Sequence, residues 1–516
     1  MKQLTRSSNA LRTLLFIGFV LPATLRTRSQ EISATVAPQP GWPTHAHDAQ
    51  HSGVSAVSSQ RLARIHWVTP VDLQPPTDSG EIFVHYGSPL VTSRNTVVVP
   101  VKTGASDGFR VEGHAGSTGA LRWFMNSDYS VPFAGFLPAF GPTLSQDRVV
   151  APAGGGTVLI RQDDDDRRAA VRRVAFYGID NFTANRQAFI DGVKINTPIT
   201  ADHNGNLFFG FIVVGETPGV ALESGLARIG SDGTGSWIAA SAASSDFGIN
   251  KVSTSCAPAL SRNEKQLYVA VNSFDFSPGY LLELDATTLQ PLNKVRLIDP
   301  ASGNDALLTD QSSATPTVGP DGDVFYGVLE SPSPSHNDRG WLLHFSGNLR
   351  RTKIPGSFGW DDTASIVNAS LVPSYHGTSS YLVMTKYNNY AGRGGDGVNK
   401  LAILDPTASE PDPVLGNPVM NEVLTITGVT PDPEFPSLPN AVREWCINTA
   451  AVDPFTRSVL ANSEDGRLYR WDLATNTFSQ IITLTGGIGE AYTPTVIGGD
   501  GTVYAINRAM LFTIGR

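Results

Sequence analysis

A four-residue signature recurs down this chain and constrains its fold more than any other feature. It is a small residue, proline and an apolar pair, followed by a turn with Asp, Gly or Asn and a β-branched or aromatic run. It reads Ser88-Pro89-Leu90-Val91, Gly141-Pro142-Thr143-Leu144, Thr197-Pro198-Ile199-Thr200, Ala257-Pro258-Ala259-Leu260, Thr315-Pro316-Thr317-Val318 and Thr493-Pro494-Thr495-Val496. Two further units keep the pattern without proline, Ala369-Ser370-Leu371-Val372 and Thr449-Ala450-Ala451-Val452. Proline slots are 44 to 80 residues apart, enough for one four-stranded antiparallel sheet with enlarged loops. Such a sheet cannot bury both faces alone, so neighbouring units must stack, and a closed ring removes the exposed ends. Proline at the head of a first strand fits an innermost edge strand, where a missing N–H costs little.

The predicted fold is therefore all-β, an eight-bladed propeller of four-stranded antiparallel blades. The eighth unit ends after three strands, and an unpaired segment, residues 63–68, precedes the first complete unit. That segment is expected to supply the missing outer strand and close the ring. A seven-bladed ring is the alternative if the 365–414 unit is an insertion. The expected organisation is a signal peptide and leader at 1–37, an arm at 38–62, and one propeller domain over 63–516.

Composition agrees. Hydrophobic residues make up 41% of the chain and charged residues 16%, so a large core is available and disorder is excluded. Lys2, Arg6 and Arg12 precede a short apolar stretch, residues 14–25, too short to span a bilayer comfortably but right for a signal peptide. The expectation is a secreted or periplasmic monomer with no stable membrane span after processing. The net charge is −9 although the first 29 residues are purely basic, so the body is acidic and unsuited to nucleic acid. Cys256 and Cys446 fall in different units and are predicted to be free, buried thiols.

The turns between third and fourth strands carry Thr118-Gly119 with Trp123, Asp232-Gly233 with Trp237, residues 284–288 (LDATT) and residues 471–476 (WDLATN). With Gly41-Trp42-Pro43, Asp48, His51 and Gly53 ahead of them, these features resemble the quinoprotein-like (PQQ-like) β-propeller repeat family over residues 41–516. The resemblance implies a propeller with a functional face around its central channel. For the family's dehydrogenases it also implies pyrroloquinoline quinone and calcium as cofactors. The sequence departs from those enzymes in lacking adjacent cysteines and in keeping the docking turn in only some units, with Ala115 where the first turn would carry aspartate.

Propeller geometry places the loops leading into first strands, and those joining second to third strands, on one face. Unit six contributes Trp360, Asp361 and Asp362, and from its long second loop Tyr387, Asn388, Asn389, Arg393 and Asp396; unit seven contributes Glu444 and Trp445. His85, Tyr86, His336 and Glu490-Ala491-Tyr492 join them from other units. Carboxylates, amides, guanidinium and aromatic rings converging on one mouth suit a small molecule, a carbohydrate or a protein partner. Asp361, Asp362 and Asp396 are candidate calcium ligands. Three functions follow: a non-catalytic binding or interaction protein, which the lack of a complete catalytic signature favours; a quinone-dependent oxidoreductase; or a carbohydrate-active enzyme with an acid/base pair drawn from Asp361, Asp362, Glu444, His336 and Tyr387. On the opposite face, residues 163–168 (DDDDRR) read as a solvated charge run. Gly154-Gly155-Gly156 lacks the lysine and helix of a phosphate loop, and His45, His47 and His51 belong to the arm.

Overall fold

Eight antiparallel sheets arise because each repeat folds its strands in simple succession, with the first innermost. The structure is a computed structural model that describes residues 41–77, 82, 86–132, 140–487 and 493–516. The expected leader, His85 and Glu490-Ala491-Tyr492 lie outside the described residues. In blade 1 the order is Leu90–Val91, Thr96–Lys102, Phe109–Ala115 and Leu121–Ser127. Blade 5 has three regular strands, and the bridges Leu342–Gly356 and Phe345–Thr352 stand in for its fourth. No helix among the described residues is long and apolar enough to cross a membrane.

Burial explains the sequence patterns. The second strand of blade 1 is buried at every position, as is that of blade 8 (Val503–Asn507), so both read as unbroken apolar runs. Both faces of these strands pack against neighbouring blades, which removes alternation. Outer strands alternate, as in Thr477–Thr483 with every second residue exposed. Pro100 and Pro152 interrupt second strands just beyond the last inner pairs, Leu90–Val98 and Thr143–Val150. There the inner neighbour has ended and a missing N–H leaves no gap in the ladder.

The ring closes as the sequence predicts. Arg64–Pro70 pairs antiparallel with Met510–Gly515, from Arg64 opposite Gly515 to Pro70 opposite Met510, and becomes the outer strand of blade 8. Tryptophans of outer strands then dock on the next blade. Trp67 Nε1 of blade 8 donates to the Gly116 carbonyl of blade 1 at 2.8 Å, and Trp123 Nε1 of blade 1 donates to the Asp164 carbonyl of blade 2 at 3.0 Å.

The signature's hydroxyls form a belt around the axis. Thr200, Thr317 and Ser365 each donate to an inner-strand carbonyl of the following blade, Pro258 at 2.6 Å, Ala364 at 2.9 Å and Ala450 at 2.7 Å. Short inner strands cannot bond laterally by backbone alone, so Thr and Ser bridge them. This corrects the sequence phasing in blade 6. Its inner strand is Ser365–Asn368, and Ala369–Leu371 is a 3₁₀ turn capped by the Asn368 side chain, which accepts from the Ser370 N–H at 3.0 Å. Thr363-Ala364-Ser365-Ile366 is the true signature; Ala369-Ser370-Leu371-Val372 imitates it six residues late.

The arm does more than lead into the ring. Trp42 N–H donates to Val91 O in blade 1, and Pro43 O accepts from Leu144 N–H in blade 2. Thr44 Oγ1 reaches Ile199 O in blade 3. Ala49, Gln50, Ser52 and Gly53 carbonyls then accept from Leu260, Val318, Ile366 and Val452, in blades 4 to 7. Gln60 N–H ends the circuit on Gly501 O of blade 8 at 2.7 Å. The segment thus circles the axis at the ends of the inner strands, opposite the face of the long loops. Gly53 must be glycine here: its φ is +67°, and a Cβ would stand 2.7 Å from Ser365 Oγ.

Two motifs set aside in the sequence prove structural. Gly154–Gly156 is a buried turn covered by Phe182, Phe189 and Val193 from the short helices Ile179–Ala184 and Arg186–Gly192 and the strand after them. The 163–166 aspartates are not a solvated run. Asp164 is buried, and Arg94 of blade 1 bonds to Asp163, Asp164 and Asp165 at 2.8, 3.0 and 2.7 Å, tying blades 1 and 2 together.

Candidate functional site

On the long-loop face, blades 6 and 7 bring a set of ionisable side chains around one buried ammonium. Lys386 is the penultimate residue of the second strand of blade 6 (Tyr381–Tyr387) and is 1% exposed. The loop into that blade supplies Asp361, 1% exposed, whose Oδ2 lies 3.5 Å from Lys386 Nζ. Asp361 Oδ1 accepts from the N–H and Oγ–H of Ser313 at 2.9 and 3.0 Å, which fixes it to the inner end of blade 5. Asp362, 2% exposed, accepts from Thr385 Oγ1 at 2.5 Å and the Lys386 N–H at 3.2 Å.

Blade 7 contributes the other half. Its approach loop carries Glu444 and Cys446, and its second-to-third-strand loop carries Glu464. Glu464 accepts from the Glu444 N–H at 2.9 Å and from Cys446 Sγ at 3.6 Å. Ligand atoms of Glu444, Cys446 and Glu464 lie within 4.8 Å of one another, a donor set of two carboxylates and a thiol that suits zinc. Asn388 joins the halves: its Oδ1 accepts from the Trp445 N–H at 3.2 Å, and its Nδ2 reaches Tyr390 OH at 3.3 Å.

Negative charge exceeds positive charge here, and the ionisation equilibria record it. Burial pushes Asp362 up to about 7 against the pull of Lys386. Burial and then the charge of Glu464 push Glu444 up to about 8; burial pushes Glu464 up to about 7. Burial opposes the charge on Lys386, yet Asp361, Cys446, Asp362 and Glu444 hold its pKa above the ordinary lysine value. Arg443 is mostly engaged elsewhere: it pairs with Glu434, lies 3.5 Å from Asp432, and is 3.8 Å from Glu464.

The residues read from sequence thus separate into three groups. Asp361, Asp362, Asn388 and Glu444 gather around Lys386, with Trp360 half-buried at the rim. Tyr387 and Trp445 are core residues: Tyr387 lies under the Arg339 guanidinium at 4.4 Å, and Trp445 packs on Tyr469 and Phe478. Asn389, Arg393 and Asp396 form an outer brace, in which Asn389 bonds Asp396 at 2.7 Å and Asn337 at 3.0 Å while Arg393 pairs with Asp338. Asp396 therefore stands with Asn389, apart from the Asp361–Asp362 pair with which it was grouped for calcium. His336 stacks on Trp341 and bonds Asp412 at 3.0 Å. Sequence reasoning puts Lys386 and Cys446 on this face without choosing them as site residues, and it misses Glu464. Residues 463–466 (SEDG) join the second and third strands of blade 7, so the loop rule applied to short loops as well as long ones would have found Glu464.

Near the axis the channel narrows to a cavity of about 20 Å³, lined by His45, Tyr86, Ser88, Ser255, Ser313 and Asn448 among others. Cys256 and Cys446 are buried thiols in blades 4 and 7 and are not joined in a disulfide, as the sequence predicts.

This architecture is shared with solved structures at low identity. A europium-containing methanol dehydrogenase aligns with a TM-score of 0.56 at 8% identity, over 90% of this chain and 89% of that one. A quinohemoprotein alcohol dehydrogenase from Comamonas testosteroni aligns with a TM-score of 0.53 at 12% identity, over 94% and 82%. Sqt1 of Saccharomyces cerevisiae aligns with a TM-score of 0.50 at 10% identity, over 89% and 99%. No family model and no curated protein sequence matches the chain. The fold is thus the eight-bladed propeller, of the kind seen in quinone-dependent dehydrogenases. The described residues do not fit the quinone itself. The carboxyl groups of Asp361, Asp362, Glu444 and Glu464 at the mouth would repel a tricarboxylate.

Proposed function

We propose that the protein is an exported, non-catalytic binding propeller that takes a small organic cation at the mouth between blades 6 and 7. One observation carries this reading: Asp361, Asp362 and Glu444, with the Cys446 thiol, act on one buried ammonium, and Glu464, 3.8 Å from Arg443, adds its charge beside Glu444. Buried carboxylates without counter-charge are costly, and a cationic ligand would offset that cost. Glu444, Glu464, Tyr390 and Trp360 are the partly exposed members. They would meet the ligand, the carboxylates facing its charge and the aromatic rings its flanks. Asp361 and Lys386, almost wholly enclosed, would set the field beneath.

The test is a titration of the purified protein with mono- and diamines, quaternary ammonium compounds and neutral sugars, followed by tryptophan fluorescence. Cations are expected to bind, and more tightly at pH 8.5 than at pH 6, because Glu444 and Glu464 ionise between about 7 and 8. Binding of neutral sugars alone, or of cations with the opposite pH dependence, would overturn the reading.

A further inference from the structure

A second centre lies on the axis, independent of the blade 6–7 mouth. His45 and His51 belong to the arm that circles the channel, yet both rings are buried, at 8% and 0% exposure, and His45 lines the axial cavity. The rings meet edge to face with centroids 5.3 Å apart. The Nε2 atoms of both are enclosed and have no hydrogen-bond partner. A buried polar nitrogen without a partner is costly, and each of the two calls for a ligand.

The second ring nitrogen decides what that ligand is. His51 Nδ1 lies 2.8 Å from the Pro316 carbonyl, which can only accept, so Nδ1 carries the proton and Nε2 presents a lone pair. A histidine oriented by a backbone carbonyl through one nitrogen, with the other left open, is the usual arrangement of a metal ligand. Asp48, bonded to Ser52 and Gln50 in the same arm, is a negative charge acting on His51. The cavity of about 20 Å³ has room for an object the size of one water or one ion and excludes any organic ligand.

We propose that the channel axis holds a single imidazole-preferring divalent ion, of the copper, nickel or zinc class, between His45 and His51, with water completing its coordination. Two imidazoles and no thiolate favour copper(II) among these.

The experiment uses the mature chain, stripped with chelator and titrated with CuCl2, NiCl2 and ZnCl2 by calorimetry. Electron paramagnetic resonance of the copper form accompanies it. One equivalent is expected to bind at the imidazoles, apart from any ion taken up by the Glu444–Cys446–Glu464 set, with nitrogen hyperfine structure from two imidazoles in the copper form, and to raise the melting temperature. His45→Gln should weaken binding at least tenfold and leave the metal-free melting temperature within a few degrees, since no hydrogen bond of its Nε2 is lost. A double variant, Glu444→Gln with Cys446→Ser, should bind the ion as the parent does. The proposal fails if no ion binds, if copper shows no nitrogen hyperfine structure, or if the Glu444/Cys446 variant loses the ion while His45→Gln keeps it. Loss of cation binding at the mouth with metal binding intact would sink only the functional reading above.

Discussion

Two clusters of four carboxylates sit at opposite ends of this ring, and their environments differ. At Asp163–Asp166, Arg94 meets three aspartates and Arg122 a fourth contact at 3.4 Å. The N–H groups of Asp165 and Asp166 both donate to Asp163 at 2.8 Å, and these backbone bonds lead in holding its pKa below the ordinary value. Burial raises Asp164, but only to about 6. At Asp361, Asp362, Glu444 and Glu464 the cations are Lys386 and, 3.8 Å from Glu464, an Arg443 shared with Asp432 and Glu434, and three of the four acids are pushed up to between about 7 and 8. Equal numbers of acids thus make an inter-blade tie in one place and a charge-deficient site in the other. The supply of cations and backbone donors, not the count of acids, separates structure from function.

The largest effect is expected from Lys386→Met. Removing the one ammonium enclosed by the upper cluster should destabilise the fold by about 3–5 kcal/mol, and more at pH 8.5 than at pH 5.5, where the acids protonate and no longer need it. Denaturant unfolding at the two pH values measures this; equal losses at both would mean that Lys386 is not held there for its charge.

Glu444→Gln combined with Glu464→Gln should act in the opposite sense. Both acids have folded-state pKa values raised above the unfolded range. Their contribution is therefore fully present below about pH 4.5 and is lost as the pH rises through about 7 to 8. The parent should lose stability between pH 5 and 8.5. The double variant should flatten that slope and gain about 1–3 kcal/mol at pH 8.5 while losing cation binding. A variant that binds as before would place recognition elsewhere.

The smallest effect is expected at the lower cluster. Arg94→Ala should cost about 1–2 kcal/mol, a modest figure because the Arg94 side chain is 53% exposed. Cation affinity should be unchanged. If this variant abolishes binding, the lower face is functional and the contrast between the clusters is lost.

Particular residues show how far the sequence carried the argument. The signature located seven of eight inner strands because Thr and Ser must bridge short strands and Pro is tolerated at their heads. It misplaced the eighth because Ala369–Val372 copies the pattern, while Ile366, whose N–H bonds to the Ser52 carbonyl of the arm, carries no local mark of that contact. The long, glycine-rich loop of blade 6 drew attention to Asn389, Arg393 and Asp396, which brace its outer part. Four residues that sit at the centre of the site or beside it, Asp361, Asp362, Asn388 and Glu444, were legible from loop topology alone. Lys386 lies on the same face but was not chosen, because it sits beside a strand's end, where a lysine ordinarily points to solvent.

Repeat length, apolar runs and the spare strand at residues 63–68 were enough to determine an eight-bladed ring and the way it closes. Those features express local strand-forming tendency and the need to bury both faces of every sheet, and both are written along the chain. Which acids lack a counter-charge, and that His45 and His51 meet on the axis, only the tertiary structure decided. Burial and pairing depend on groups tens to hundreds of residues apart: His51 bonds to Pro316, and Asp361 to Ser313 and Lys386. No local pattern encodes the distance between them.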